Sequence, residues 1–216
     1  MLGSQTILDL SLRPDYRSAN FVDAPSNAEA RAALSAPQNW ANGALALIGP
    51  AGCGKTHLGY LWSDDNRAII VSNDSGLADI AAWRDQYIWV DGAGAASEPL
   101  LFALFNMAMR GELKALLLTG RSQASAWAVE IPDLKSRLSA MQIARISAPE
   151  DALLEPIYKK LFLDRGLKVS QSLIDYLLRH QTRSVDAAYA VVDFLDREAA
   201  VQKVNVNRTF AARVLG

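Results

Sequence analysis

The sequence has few of the residues that form covalent cross-links or metal sites. Its 216 residues include one cysteine, Cys53, and two histidines, His57 and His180. A single cysteine excludes an internal disulfide and a zinc site made of several cysteines, and two histidines argue against a histidine-rich metal centre. Stability must therefore come from a hydrophobic core, and half of the residues are hydrophobic.

An excess of charge and long apolar stretches are also missing. The net charge is −1 and the pI is near 6.1. This balance argues against a protein that coats nucleic acid, because phosphate binding requires concentrated positive charge. No run approaches the roughly 18 apolar residues of a transmembrane helix. The N-terminal MLGSQTILDL lacks the basic and apolar regions of a secretory signal. We therefore expect a soluble, cytoplasmic protein with no membrane partner.

Short apolar runs alternate with amphipathic segments in the middle of the chain. Five runs are typical of buried strands: 44–49, 68–72, 87–91, 115–120 and 142–147. Helical spacing is found at 27–34, with Ser26 or Asn27 as N-cap, and at 55–62, 76–84 and 98–110. Strands that alternate with helices predict a mostly parallel sheet with helices on both faces.

No strand pattern continues beyond Pro149. Four amphipathic segments follow, at 151–165, 170–180, 185–200 and 206–215, with Ser170 and Asn205 as N-caps and Gly166 as a C-cap. We expect an N-terminal tail over residues 1–15, an α/β domain over 16–148 and a small helical domain over 149–216.

A phosphate-binding pattern, G-x-x-x-x-G-K-[ST], follows the first strand. It consists of Gly49, Pro50, Ala51, Gly52, Cys53, Gly54, Lys55 and Thr56. Glycines let successive backbone N–H groups point at phosphate oxygens, the lysine contacts the β- and γ-phosphates, and the helix that follows adds its positive end. We predict a site for ADP or ATP here. His57 borders the loop and is included in that site, although loop packing and helix surface explain Cys53 and His57 better than redox or catalytic roles.

A magnesium ligand is expected at the end of a later strand. The run Ile-Trp-Val ends in Asp91, and Thr56 offers a hydroxyl, so the two side chains together predict a Mg²⁺ site. An ordinary strand-end turn is the alternative, since Asp-Gly is good turn chemistry. The next residue, Gly92, supplies no second acid to orient an attacking water, so the sequence does not show how hydrolysis would be primed.

Two further segments contain residue patterns that matter for the family resemblance described next. The segment 20–27 contains Phe21, Val22 and Asn27 before an alanine-rich helix, and 134–138 reads Leu-Lys-Ser-Arg-Leu. With the phosphate loop and the Ile-Trp-Val-Asp strand, these segments resemble, over residues 16–216, the AAA+ family of the bacterial replication initiator DnaA and Hda-type regulators. The resemblance implies an AAA+ α/β module with a helical lid, in which Phe21, Val22 and Asn27 lie beside the adenine.

The same resemblance implies two arginine roles. Arg137 matches the arginine finger that reaches a neighbouring subunit's nucleotide, and its alternative is a surface arginine in a helix salt bridge. Asp186 stands where the family has a nucleotide-sensing arginine, so Arg183, one turn earlier, is the candidate replacement; its alternative is a surface residue at a helix start. Because Gly92, Gly120–Arg121 and Asp186 depart from the family pattern, we expect weak or altered hydrolysis by this chain.

The start of the chain suggests a partner. Gln5, Leu8 and Leu10 fit a loose pattern that resembles the peptide which binds the sliding clamp of bacterial DNA polymerase III, its β subunit; a tail or edge strand packed on the core is the alternative. No helix-turn-helix segment follows the last helix, so we expect only indirect contact with DNA.

The implied function is inactivation of DnaA. Such a regulator would be tethered to the clamp, would stimulate ATP hydrolysis by DnaA and would thereby prevent re-initiation of replication. The alternatives are a self-contained AAA+ ATPase or helicase loader on single-stranded DNA and a scaffold that binds no nucleotide. The sequence is compatible with a homodimer and does not define the oligomeric state.

Overall fold

A computed structural model describes residue 16, residues 20–78 and residues 80–216 of the chain. The strands are β1 (Ala44–Ile48), β2 (Ile69–Val71), β3 (Tyr87–Val90), β4 (Ala115–Gly120) and β5 (Gln142–Arg145). The helices are α1 (Pro25–Leu34), α2 (Lys55–Asn66), α3 (Glu98–Met109), α4 (Pro132–Ser139), α5 (Asp151–Asp164), α6 (Gln171–His180), α7 (Val185–Gln202) and α8 (Arg208–Leu215). The candidate clamp peptide with Gln5, Leu8 and Leu10 lies outside the described residues.

The strands form one sheet in the order β2-β3-β4-β1-β5, and every neighbouring pair is parallel. Every residue of β1 and β4 is buried. Side chains alternate between the two faces: Ala44, Ala46 and Ile48 belong to one hydrophobic cluster, and Leu45 and Leu47 belong to another. Burial on both faces explains the continuous apolar runs of these strands. The predicted five strands and parallel α/β sheet are confirmed.

One predicted helix does not form. In the described part of the segment 76–84, which leaves out residue 79, the structure has only a short 3₁₀ helix, Ile80–Trp83. Trp83 is buried, but Leu77 is 43 % exposed, so the segment presents no continuous apolar face to the core. A short helix without such a face gains too little from packing to offset the cost of its nucleation.

Two predicted N-caps are also wrong. Helix α1 begins at Pro25 with Ala24 as its N-cap, and the Asn27 side chain instead accepts a hydrogen bond from the Ala24 backbone at 3.2 Å. Helix α8 is capped by Asn207, which accepts from the Phe210 N–H at 2.9 Å, and not by Asn205.

The last four helices share a hydrophobic cluster of their own. Its buried members come from all four helices and include Tyr158, Phe162, Leu177, Val192 and Phe210. Gly166 follows α5 with a positive φ of 70°, and Ser170 is the N-cap of α6. The four predicted helical segments are therefore present. Among the described helices, none has both the length and the hydrophobicity needed to cross a bilayer.

The buried hydroxyl of Tyr158 makes stability sensitive to alkaline pH. Burial raises its pKa from 10.0 to about 12. The unfolded chain then releases this proton before the folded chain does, so the free energy of unfolding should fall between pH 10 and about 12. Urea unfolding across this range should show a steeper loss for the wild type than for Tyr158→Phe. Parallel curves for the two proteins would contradict the assignment.

Candidate functional site

The phosphate loop connects β1 to α2 at the carboxyl edge of the sheet. Gly52 and Gly54 have positive φ values of 65° and 100°, and α2 begins at Lys55. The Lys55 ammonium group donates to the carbonyls of Gly49 and Pro50 at 2.8 and 2.6 Å. A Cβ on Gly49 would lie 2.5 Å from the carbonyl oxygen of Ile146, which follows β5, so the chain leaves no room for a side chain there. The loop is thus held against the sheet with its lysine turned back along it.

Cys53 and His57 have the packing surroundings expected for them. Cys53 is 3 % exposed, and burial raises the pKa of its thiol, which disfavours a reactive thiolate. The His57 ring meets the edges of the Tyr16 and Phe21 rings at centroid distances of 5.5 and 5.1 Å. Both residues also line the cleft described below.

The two candidate magnesium ligands lie side by side. The Thr56 hydroxyl donates to Oδ2 of Asp91 at 3.0 Å, and Oδ1 of Asp91 accepts a hydrogen bond from the Thr119 hydroxyl. Hydroxyl and carboxylate oxygens are ligands that Mg²⁺ accepts, and it is often held by one or two side chains together with substrate phosphates. The described residues contain no group of three or more His, Cys, Asp or Glu that could hold a metal ion without such help. Thr56 and Asp91 therefore fit a Mg²⁺ that arrives with a nucleotide.

The contribution of Thr119 was missed at the sequence level. Strands β3 and β4 pair in parallel with Val90 opposite Leu118. The next residue on each strand, Asp91 and Thr119, must therefore meet at the carboxyl edge of the sheet. The sequence shows that both residues stand at strand ends, but only the register of β3 against β4 shows that these two ends meet.

A cleft that is partly open to solvent extends from the phosphate loop to the C-terminal helices. Its lining comes from Tyr16 and residues 20–27, which we call the opening segment, from the phosphate loop and the start of α2, and from α5 and α7. The lining residues are Tyr16, Asn20, Phe21, Val22, Asn27, Gly52, Cys53, Gly54, Lys55, Thr56, His57, Leu153, Ile157, Lys160, Leu161, Val185, Asp186 and Tyr189. Asn27 is buried, and its amide donates to the Val22 carbonyl at 2.9 Å, which shapes the opening segment. The cleft therefore combines a polar loop with apolar and aromatic walls.

The first turn of α7 rests directly on the phosphate loop. The Val185 N–H donates to the Gly52 carbonyl at 2.8 Å. A Cβ on Gly52 would lie 1.9 Å from the Ser184 hydroxyl, so a glycine is required for this approach. Asp186 lies beside the same glycine and lines the cleft.

Arg183 occupies a different environment. Its guanidinium pairs with the Asp151 carboxylate at 3.1 Å, and both side chains are about half exposed. Arg183 is absent from the described residues that line the cleft. A nucleotide-sensing role for Arg183 stays a prediction. In the first turn of α7, the charged residue that lies beside the phosphate loop is Asp186.

Arg137 lies on α4 beside α3, away from this cleft. Its guanidinium pairs with Asp133, one helical turn earlier, at 2.6 Å, and donates to Oδ1 of Asn106 on α3 at 2.8 Å. The side chain is 26 % exposed. The helix salt bridge considered for this residue is therefore present. A role as an arginine finger stays a prediction.

Comparison with known proteins identifies the fold. No family model matches the chain. An uncharacterized protein of Haemophilus influenzae is 25 % identical over 118 residues, which is 55 % of this chain and about half (51 %) of the length of that relative.

Solved structures match over most of the chain. Domain III of the Thermotoga maritima replication initiation protein DnaA has a TM-score of 0.73 at 17 % identity, with 94 % of this chain and 96 % of that chain covered. AMPPCP-bound DnaA from Aquifex aeolicus has a TM-score of 0.69 at 18 % identity, with 89 % and 70 % covered. The Thermotoga maritima RuvB Holliday junction branch migration motor has a TM-score of 0.61 at 15 % identity, with 78 % and 59 % covered. The chain has the fold of a DnaA-like AAA+ P-loop module.

Proposed function

We propose that this chain binds an adenine nucleotide with Mg²⁺ in the cleft and regulates a DnaA-type initiator. The observation that carries nucleotide binding is the phosphate loop, with Lys55 at its end and the Thr56 hydroxyl 3.0 Å from the Asp91 carboxylate. Glycine-rich loops of this geometry at a helix N-terminus bind phosphate through backbone N–H groups. Such loops at the carboxyl edge of a parallel sheet are typical ligand sites.

The walls of the cleft suggest which end of the nucleotide lies where. Phosphates would lie on the loop and on Lys55, and Thr56 and Asp91 would hold Mg²⁺, which offsets phosphate charge when bound. The base would lie among the apolar residues of the opening segment and the helices, including Phe21, Val22 and Ile157. The likeness to a DnaA structure that contains AMPPCP supports an adenine nucleotide.

Removing the loop lysine tests nucleotide binding. Lys55→Ala should weaken ADP and ATP binding at least about tenfold, because the compact positive charge beside the phosphates is lost. Titration of a fluorescent adenine nucleotide, competed with ADP or ATP, gives the affinities. Lys159→Ala is the matched control, because Lys159 is an exposed lysine of α5 that pairs with Glu155. Equal affinity of Lys55→Ala and wild type would contradict the site.

The regulatory part of the proposal rests on Arg137. This arginine lies outside the chain's own cleft with about a quarter (26 %) of its side chain exposed, and to act on a nucleotide held by another protein it would have to exchange its contacts with Asp133 and Asn106 for that nucleotide. An arginine delivered in this way stabilises the charge of the transition state. Gly92 offers no acid to orient a water in this chain's own site, so the hydrolysis would take place in the partner. The N-terminal peptide with Gln5, Leu8 and Leu10 would tether the chain to the sliding clamp.

A self-contained ATPase is the second candidate. RuvB, a branch migration motor, has a similar fold, and one of the similar DnaA structures is bound to AMPPCP and single-stranded DNA. A self-contained ATPase requires that the purified chain hydrolyse ATP rapidly by itself and that single-stranded DNA increase this hydrolysis. The regulatory proposal expects little turnover under either condition.

Arg137 supplies the central test of regulation. ATP hydrolysis by DnaA, measured with clamp loaded on DNA, should rise when wild-type protein is added. Arg137→Ala should reduce this stimulation by roughly 10³-fold, because the finger's charge is lost from the transition state. Nucleotide binding should stay unchanged, and the melting temperature should fall only slightly, because the variant loses the ion pair with Asp133 and the hydrogen bond to Asn106. Arg179→Ala, which removes an exposed arginine of α6, should stimulate like the wild type.

The tether provides the control for this experiment. Changing Gln5 and Leu8 to alanine should abolish stimulation without changing nucleotide affinity, because neither residue belongs to the phosphate-binding pattern of the sequence. Full stimulation by Arg137→Ala would show that the finger assignment is wrong. No stimulation by the wild type, with nucleotide binding intact, would remove DnaA as the partner.

A further inference from the structure

The side chain of Thr119 is buried at the carboxyl end of β4, where no core packing requires a hydroxyl. Thr119 is 0 % exposed. Its neighbours in β4 are apolar, and a valine of the same shape would fill the space equally well. A buried polar group is retained at a cost unless its hydrogen bonds compensate. The partners of this hydroxyl therefore indicate why a threonine stands here.

Three groups surround the Thr119 hydroxyl. It accepts a hydrogen bond from the Gly92 N–H at 3.0 Å, and it lies within donating distance of Oδ1 of Asp91 and, at 3.4 Å, of the Val90 carbonyl. A hydroxyl has one proton to donate. The carboxylate lies nearer than the carbonyl and is charged, so it takes the proton.

Asp91 is thereby held from two sides. Thr56 approaches Oδ2 from the start of α2, and Thr119 approaches Oδ1 from β4. Thr56 and Asp91 are the residues proposed to hold Mg²⁺. The Thr119 contact is on the other carboxylate oxygen, so it can persist while Thr56 and Oδ2 face a metal.

We propose that Thr119 is the positioning residue that orients the Asp91 carboxylate for the Mg²⁺–nucleotide complex. This role rests on the proposed nucleotide site and adds a residue to it. Thr119 also fixes the backbone that follows Asp91, because the same hydroxyl accepts from the Gly92 N–H. A hydrogen-bonded partner of this kind sets the direction of a metal ligand, and its loss typically lowers metal affinity about 10- to 100-fold.

The test measures how much Mg²⁺ strengthens nucleotide binding. The affinity for fluorescent ADP and ATP is determined with excess Mg²⁺ and with EDTA, and the ratio of the two is the Mg²⁺ gain. Thr119→Val should reduce the gain about tenfold or more and leave the EDTA affinity unchanged. Thr119→Ser, which keeps the hydroxyl, should retain the gain.

A matched control separates positioning from stability. Ser63 is another buried hydroxyl of the α/β part, and it donates to the Ala68 carbonyl away from the cleft. Ser63→Ala should retain the full Mg²⁺ gain. Melting temperatures are recorded for every variant. If Thr119→Val does not fold, Thr119→Ala in the same assay replaces it.

A double variant tests whether Thr119 acts through Asp91. In an Asp91→Ala background, Thr119→Val should cause no further change in the Mg²⁺ gain. An additional loss there would overturn the proposal, as would a wild-type gain that Thr119→Val retains. A wild-type protein that binds no nucleotide, or binds it regardless of Mg²⁺, would overturn the proposed site and this role with it.

Discussion

The parallel sheet must be covered on both faces, and this requirement sets the positions of the phosphate loop and of the functional residues at the strand ends. Side chains of β1 alternate between two hydrophobic clusters, with Ala44 and Ala46 on one side and Leu45 and Leu47 on the other. Helices that connect successive parallel strands cover the two faces of the sheet. The carboxyl ends of all the strands therefore lie at the same edge of the sheet. The phosphate loop, Asp91 and Thr119 all follow from that geometry, because each stands at the carboxyl end of a strand.

A backbone hydrogen bond joins this edge to the C-terminal helices. The Val185 N–H donates to the Gly52 carbonyl, and Ser184 lies where a side chain on Gly52 would be. The glycine serves two purposes, because its positive φ shapes the loop and its missing Cβ admits α7. Helix α7 therefore forms one wall of the cleft at the loop itself, and Asp186 enters the cleft on its first turn.

The candidate cleft and Arg137 lie in different parts of the molecule. Beside the phosphate loop, Gly92 follows Asp91 and supplies no acid next to it, whereas Arg137 on α4 lies outside the cleft and is held by Asp133 and Asn106. Under the function we propose, phosphate binding takes place in the chain's own cleft and the chemistry in a partner's site. The Thr56–Asp91–Thr119 contacts belong to the binding side of this division.

The sequence by itself determined the five strands and the phosphate loop, because these depend on local periodicity and short-range chain geometry. The alternation of strands with helices predicted the parallel sheet, and residue type and motif spacing marked Thr56 and Asp91 as candidate Mg²⁺ ligands, but their contact belongs to the folded chain. The predicted helix at 76–84 does not form, because helical spacing in a sequence does not show whether a core is present to pack against the apolar face. Arg183 and Asp186 are three residues apart, and only the docking of α7 on Gly52 decided that Asp186 lines the cleft while Arg183 pairs with Asp151. Thr119 acquired its partners from the register of β3 against β4. Contacts between residues distant in the chain arise only when the strands and helices have packed, and for that reason the tertiary structure alone decided them.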